Sequence, residues 1–349
     1  MNILLDDISG KSNLYPFTSI RSAADIRIGI LTIREKWERL LNQKIETLSE
    51  ITASDIDLNK NQNISANIVP SRQWVNDFLS GNQSKKTVTL DYPWQIFQNN
   101  EQALKEDFDL ICNGRTSQEL STTNKIISSE NIFIEEGAVI EHSILNATAG
   151  PIYIGKNAEV MEGCLIRGPF AMCEGSRLKM GTKVYGATTI GPYCIAGGEV
   201  KNAVLFGFSN KAHDGYLGDS VIGEWCNLGA GTSNSNIKNT AGIVKFWHDV
   251  KKEFIPAGLK CGLLLGDYSK TAINTSFNTG TIAGICCNIF GEGFHPKYIP
   301  DFSWGLERYN LEKALSDIDN WKKLKGKSIT ENEIKILTDI YYSQNLSHA

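Results

Sequence analysis

Residues 154–190 read IGKNAEVMEGCLIRGPFAMCEGSRLKMGTKVYGATTI, and this stretch decides the fold. Ile154, Val160, Ile166, Met172, Leu178, Val184 and Ile190 stand six apart without interruption. Four positions after each come Ala158, Cys164, Phe170, Ser176, Thr182, Thr188 and Cys194, all small except Phe170. A helix repeats every 3.6 residues or so and a strand every 2, so neither alone sustains a strict period of six. Short strands joined by similar turns do. Three hexapeptides then close one triangular coil of a parallel β-helix. The large aliphatic fills the coil, and the small residue sits where the wall bends and side-chain room is scarce.

Outward from this block the repeat is uneven. Ile134 and Ile140 begin it, and the step to Ile154 is too long for the period, so a bulge or loop at 146–151 is expected to absorb the surplus. The period lapses after Gly198 and returns at Ile222 and Leu228, which predicts something besides coil wall, such as an outward turn, within 201–216. Residues 232–258 break it again before Leu259 and Leu265. Insertions in repeat architectures gather on one face and often build the binding site. The coils are assigned to residues 128–295.

Residues 1–127 show no six-residue period and read as a shortened α/β region. It opens on a buried strand, Ile3 to Leu5. A helix over 27–41 follows, with Ile30, Ile33, Trp37, Leu40 and Leu41 on one face. Residues 59–67 are polar and read as a loop, 73–79 and 93–104 as helical turns, and 110–112 as another short strand. Residues 296–349 form a helical tail. Within it 311–324 is amphipathic, and Thr330-Glu-Asn-Glu333 is a capping box that opens a last helix through Tyr342. Such a tail is expected to shield the free end of the β-helix from edge pairing.

The whole-chain numbers narrow the function classes. The 349 residues leave room for two domains and a substantial core. With 35 basic against 39 acidic residues the net charge is −4, and no strongly basic stretch points to nucleic acid. The eight cysteines contain no C-x-x-C pair, and Cys164, Cys194 and Cys226 fall in the small slot of the repeat. They read as core fillers, with no disulfide framework or metal site expected. The N-terminus lacks the features of a signal peptide, and no apolar run reaches membrane-helix length, so a cytoplasmic protein without a membrane partner is expected.

In this register the repeat resembles the left-handed hexapeptide-repeat class, which is rich in acyltransferases. A denser likeness lies in Gly198-Glu-Val-Lys201, in Lys211-Ala-His213-Asp-Gly-Tyr216-Leu-Gly-Asp219, and in Ile222-Gly-Glu-Trp-Cys-Asn227-Leu-Gly-Ala230-Gly-Thr232. These resemble the acetyltransferase half of the GlmU-like family, bifunctional bacterial enzymes that acetylate glucosamine 1-phosphate and uridylylate the product. Leu14-Tyr-Pro-Phe-Thr18, Arg27-Ile-Gly-Ile-Leu-Thr-Ile-Arg-Glu-Lys-Trp37 and Tyr92-Pro-Trp-Gln-Ile-Phe97 are similar to a shorter, sugar-nucleotidyltransferase-like branch of that superfamily. So are Ala272-Ile-Asn-Thr-Ser-Phe-Asn-Thr-Gly280 and Ile299-Pro-Asp-Phe-Ser-Trp-Gly305. The implied architecture is mixed α/β and β: an incomplete nucleotidyltransferase-like α/β domain, a left-handed parallel β-helix, and the helical tail. Because a β-helix wall is flat, the resemblance also implies a homotrimer with acetyl-CoA in the groove between neighbours.

The resemblance assigns roles that the residue chemistry can carry. His213 matches the general base, and imidazole is well suited to take a proton from an attacking amine near neutral pH. Asn236 matches the asparagine that helps hold acetyl-CoA and orient the amine. Ala230 matches a residue whose backbone N–H faces the thioester, where a donor can stabilise the tetrahedral oxyanion. Lys201, Tyr216 and Asn227 match positions that hold the sugar phosphate or nucleotide sugar, by point charge and directional hydrogen bonds. The family also has an arginine one coil earlier, for which Lys183 is the nearby cation.

The N-terminal region departs from the nucleotidyltransferase pattern. It has only Gly10 after the first strand where G-x-G-T-R is expected, and no K-P pair downstream. Gly10-Lys-Ser12 is not a P-loop, because the required earlier glycine is Leu5. Asp6 and Asp7 would offer Mg²⁺ ligands only if nucleotidyl transfer is retained. Three readings therefore stand: an acetyl-CoA-dependent acyltransferase on an amino-sugar phosphate or nucleotide sugar; a sugar-1-phosphate nucleotidyltransferase with the β-helix as assembly module; and a non-catalytic trimeric scaffold or sugar-nucleotide sensor. Ile237 and Lys238 favour the last, since they replace an aromatic and an acidic residue of the family acetyltransferases.

Overall fold

The computed structural model describes residues 2–51, 61–82 and 87–343. The hexapeptide block lies within a left-handed parallel β-solenoid of about 10 turns spanning residues 125–304. Its coils build three walls. The first stacks Lys125–Ile127, Ile144–Asn146, Leu165–Arg167 and Lys183–Tyr185, then the opening halves of Glu199–Leu205 and Tyr216–Ile222. The second carries Ile132–Ile134, Ile152–Ile154, Phe170–Met172 and Thr188–Ile190, the closing halves of the same two long strands, and Leu263–Leu265 onward. The third runs from Val139–Ile140 to Ser303–Trp304 and ends on an antiparallel partner, Glu307–Arg308.

In-register pairing lines up the aliphatics of the repeat. Ile154, Met172, Ile190, Leu205, Ile222 and Leu265 stack down the inside of the second wall. The small residues have a second use at the corners. Ser176, Thr182 and Thr188 are buried, and each hydroxyl donates to the carbonyl three residues back, on Cys173, Lys179 and Tyr185, at 2.6, 2.5 and 3.0 Å. A corner carbonyl lacking a strand partner is thereby satisfied. Cys164, Cys194 and Cys226 are buried in the same core.

The surplus before Ile154 is absorbed between Ile144–Asn146 and Ile152–Ile154, as the spacing predicts. Between 201 and 216, however, no turn projects. That segment is wall, formed by Glu199–Leu205 and Asn210–Lys211 paired with the coils on both sides. The lapse has three physical causes. The Gly197–Gly198 corner takes only four positions from Ala196 to Val200, where Leu178 to Val184 takes six. Val200 to Leu205 and Leu217 to Ile222 are five positions, one fewer than Val184 to Ile190, and Asn202 and Asp219 turn these corners with left-handed φ values of 46° and 47°. Lys211 and Asn234 occupy interior slots in register with Ala196 and Phe277, where an aliphatic was sought. The break after residue 232 is a hairpin insertion, Val244–His248 against Glu253–Gly258.

The N-terminal region holds a parallel sheet with Asn2–Asp6 between Glu46–Thr47 and Asn61–Ser65. Three expectations change here. Residues 61–65 are an edge strand, despite their polarity, because each pairs with Asn2–Asp6 while Ile64 turns into the core. Residues 110–112 are the last turn of helix Asn100–Cys112, whose Ala103, Leu104, Ile111 and Cys112 are buried at helical spacing. The helix expected over 27–41 starts only at Ile33, behind a Thr32–Glu35 capping box. Residues 28–31 are instead clamped: Asn100 Oδ1 accepts from Gly29 N at 2.7 Å, and Asp107 Oδ2 accepts from Ile30 N and Leu31 N.

This region packs on the outer face of the second wall, where Leu14, Phe17 and Trp94 share a core with Val204, Val221, Leu264 and Ile282. Asn100 Nδ2 also donates to Ala187 O at 2.7 Å, tying the clamp to the solenoid. The tail helices, Leu311–Lys323 and Glu331–Ser343, lie along the flank and not over the end. They pack on the corner residues Trp225, Tyr268, Cys286 and Phe302. Thr330 and Glu333 form the expected cap. Among the described residues no helix is long and apolar enough to cross a membrane. The first wall is left open, with Ile144, Leu165 and Tyr185 38, 47 and 43 % exposed.

Candidate active site

The open first wall gathers several of the residues singled out by sequence. Strand register places Lys201 beside Tyr185 on one side and Gly218 on the other. Tyr216 stands beside Glu199, and Glu199 beside Lys183. Lys183, Lys201 and Tyr216 therefore occupy one outer face within three successive coils, at a strand spacing of about 4.8 Å.

Tyr216 does not point straight out. Its ring lies across Gly218, where an added Cβ would fall 2.1 Å from the phenol oxygen. Only glycine leaves this path open. The phenol oxygen thereby reaches the corner between the first and second walls and accepts a hydrogen bond from Asn236 Nδ2 at 2.9 Å. The same amide nitrogen donates to Asp219 Oδ2 at 2.5 Å, and Asn202 Nδ2 donates to Asp219 Oδ1 at 2.7 Å. Burial, with the negative charges of Asp219 and Glu199, pushes the Tyr216 hydroxyl up to about 12, so it stays a neutral donor across the physiological range.

His213 is exposed on the bend that leads into the first wall at its opposite corner. Its neighbour Asp214 accepts from Gly231 N at 3.0 Å, which stacks the bend directly on the Ala230–Gly231 turn of the next coil. Ala230 O in turn accepts from Asn274 N at 2.6 Å. His213 and Ala230 are thus brought together at one corner, and Asn236 stands at the other. Beneath the bend lies Lys211, 1 % exposed in the coil interior. Its ammonium donates to the carbonyls of His213 and Gly197, and burial pulls it down to about 8. The sequence does not mark Lys211 as a site residue, since its only signal there is a missing aliphatic. Asn202 and Asp219 were missed because their signal is a spacing short by one.

Asn227 is not part of this group within one chain. It lies on the third wall, in register with Asn210 and Lys270. The tail reaches both neighbours: Lys325 Nζ donates to Asn210 Oδ1 at 3.1 Å, and Lys270 Nζ sits 5.7 Å from the Trp321 ring centre.

The carboxylates after the first strand are engaged by their own loops. Asp6 Oδ1 accepts from Ile8 N and Ser9 N, both at 3.0 Å. Asp7 is buried and accepts from Ser49 N at 3.0 Å and Ser49 Oγ at 2.6 Å. Burial pushes both groups up, but these hydrogen bonds outweigh it and hold them below the usual carboxylate value. Among the described residues no group of three or more His, Cys, Asp or Glu gathers as a metal site. Both carboxylates that the sequence offers for Mg²⁺ are thus held by hydrogen bonds within the protein.

With this geometry in place, the comparisons give the chain its setting. Residues 2–77 match the family model described as sugar nucleotidyl transferase. This match and the solenoid that follows it are consistent with a GlmU-like fusion. The bifunctional protein GlmU of Methanocaldococcus jannaschii is 35 % identical over 89 residues, covering 26 % of this chain and 21 % of that protein. That of Methanococcus maripaludis strain C5 is 27 % identical over 197 residues, 56 % of this chain and 41 % of that protein. The bifunctional sugar-1-phosphate nucleotidylyltransferase/acetyltransferase of Sulfurisphaera tokodaii is 37 % identical over 93 residues, 26 % of this chain and 23 % of that protein. The chain spans less than half the length of each of these GlmU-like relatives. At a coarse level the comparisons support a transferase.

Proposed function

We propose that this protein is an acetyl-CoA-dependent acyltransferase that acts on the amine of an amino-sugar phosphate or nucleotide sugar, on the first wall of the solenoid. The observation that carries the reading is the gathering of His213, Tyr216, Lys201 and Asn236 around one open face, with the Ala230 turn stacked under His213. In this reading the amine attacks the thioester carbonyl, and a C–N bond forms as the C–S bond breaks. His213 takes the proton from nitrogen and returns it to the departing thiolate. The Ala230 N–H faces the developing oxyanion. Lys201 and Lys183 hold the phosphate of the acceptor, and Tyr216, fixed by Asn236, directs a sugar hydroxyl. Asn236 also meets the donor, while Asn227 has no acceptor-binding role within the same chain. A flat face encloses no ligand, so the working form is a homotrimer with the donor between neighbours.

The test measures thiol release from acetyl-CoA with glucosamine 1-phosphate and a panel of nucleotide amino sugars. Release with at least one free-amine acceptor, and none with its N-acetylated counterpart, is expected. No release across the panel, from protein that light scattering finds trimeric, would overturn the proposal.

A second reading has one observation in its favour, the sugar nucleotidyl transferase match over residues 2–77. It requires pyrophosphate release from UTP, dTTP or GTP with Mg²⁺ and a sugar 1-phosphate. The engaged Asp6 and Asp7 carboxylates lead us to expect none.

A further inference from the structure

The first wall carries cationic and apolar positions upstream of Lys201, of which the acyl-transfer reading uses only Lys183. Its outward positions hold Lys125, Arg167, Lys183 and Lys201 against one carboxylate, Glu199, in a chain whose net charge is −4. None of the four cations makes an ion pair among the described residues. Lys125, Arg167 and Lys183 line a cavity of about 610 Å³ floored by Ile144, Leu165 and Tyr185, with Asn146 at its side, and Lys201 stands one coil on, in register with Tyr185. Unpaired cations around an exposed aromatic and aliphatic floor suit a ligand that is anionic at one point and flat and apolar at another.

We propose that this groove binds the nucleoside diphosphate of the acceptor, so that the acceptor is a nucleotide amino sugar and not a sugar 1-phosphate. The inference rests on the acyl-transfer reading above for the position of the sugar. Arg167, Tyr185 and Lys201 share one row across successive coils, with Lys183 two positions before Tyr185 on the same face. The diphosphate lies among Arg167, Lys183 and Lys201, matching charge to charge. The base stacks on Tyr185 and covers Leu165 and Ile144. From the Tyr216 coil to the Leu165 coil is three strand spacings, about 14 Å, the scale of a nucleotide sugar laid along the wall with its amine toward His213.

Calorimetric titration of the full-length protein with UDP, dTDP and GDP tests this, with adenosine 3′,5′-bisphosphate as a probe for the donor's nucleotide. At least one nucleoside diphosphate is expected to bind. Arg167→Gln and Tyr185→Ala, both surface changes, are each expected to weaken it about tenfold. His213→Ala is expected to bind as the wild type does, which separates this groove from the chemistry at the corner. If diphosphates bind and respond to Arg167→Gln while no acceptor is acylated, the groove stands and the acyl-transfer reading fails. If glucosamine 1-phosphate is acylated and no diphosphate binds, the groove proposal alone fails. It is also overturned if binding ignores both variants, or if Arg167→Gln weakens the adenosine bisphosphate instead. A last overturning result is Leu165→Glu splitting the oligomer with diphosphate affinity unchanged, which would make this face a contact between copies of the chain.

Discussion

Two stretches of one solenoid behave differently. From Ile154 to Ile190 the interior is aliphatic, the spacing is strict, and the small residues close the corners. From Val200 to Asn234 the coil loses a residue at Asn202 and Asp219, and the interior accepts Lys211 and Asn234. The candidate site lies in and beside the second stretch. A strict repeat fixes which side chains face inward and leaves the outward positions free to vary, as they do at Arg167 and Tyr185. Departures from the period aim side chains. Asn202 and Asp219 in left-handed backbone turn a carboxylate toward Asn236, and Lys211 reaches up from inside to hold the His213 carbonyl. The cost of these devices is borne by the regular coils, whose burial has to hold the whole stack together.

Four substitutions break or sharpen that contrast. The largest effect is expected in the irregular stretch, where His213→Ala should lower turnover by about 10²–10⁴-fold, the usual worth of positioned proton transfer. Acetyl-CoA affinity should be unchanged in a binding titration, since the imidazole is assigned to the amine. For an interior residue of the regular stretch the effect should be on stability alone. Leu178→Ala removes a fully buried aliphatic and should cost about 2–5 kcal/mol in denaturant unfolding, with diphosphate and acetyl-CoA affinities preserved.

Lys211→Met lies between these. It fills the interior slot with an apolar side chain and removes the anchor of the His213 bend, so turnover should fall by about 10- to 100-fold while the melting temperature holds or rises. Its pH signature is specific. Burial lowers the Lys211 ammonium from 10.5 to about 8 in the folded protein. Across that interval the unfolded chain holds the proton and the folded chain has lost it, so stability contributed by this group rises with pH from about 8 to 10.5. The difference between wild-type and Lys211→Met unfolding curves over that range should show this slope, and a flat difference would place the ammonium in solvent. The smallest effect is expected for Tyr216→Phe, which loses one hydrogen bond to Asn236, about 0.5–1.5 kcal/mol, and should raise the acceptor KM more than it lowers kcat.

The regular coils were legible because a side chain's role there depends on its position within six residues and little else. Ile154 through Ile190 could be placed inside, and Ser176, Thr182 and Thr188 at corners, before any neighbour was known. The polar strand 61–65 was not legible, since its pairing with Asn2–Asp6 is a contact between segments far apart in sequence. Residues 110–112 read as a strand because three apolar residues cannot reveal that they end a helix begun at Asn100. Within the site, His213, Tyr216, Lys201 and Asn236 carried recognisable motif context. Arg167 and Tyr185 carried none, because strand register alone puts them in line with Lys201.

The sequence by itself determined the coil: its period, its filling, its three-sided form and the existence of an irregular stretch around residues 200–260. Those follow from local spacing, which a chain displays without folding. The tertiary structure alone decided which wall stays open. That depends on where the N-terminal region and the tail come to rest, on the second wall and along the flank, and so on contacts between segments far apart in the sequence. It also decided that Asn227 stands apart from Lys201 and Tyr216, because a residue's wall is set by counting corners, and two of those corners are one residue short.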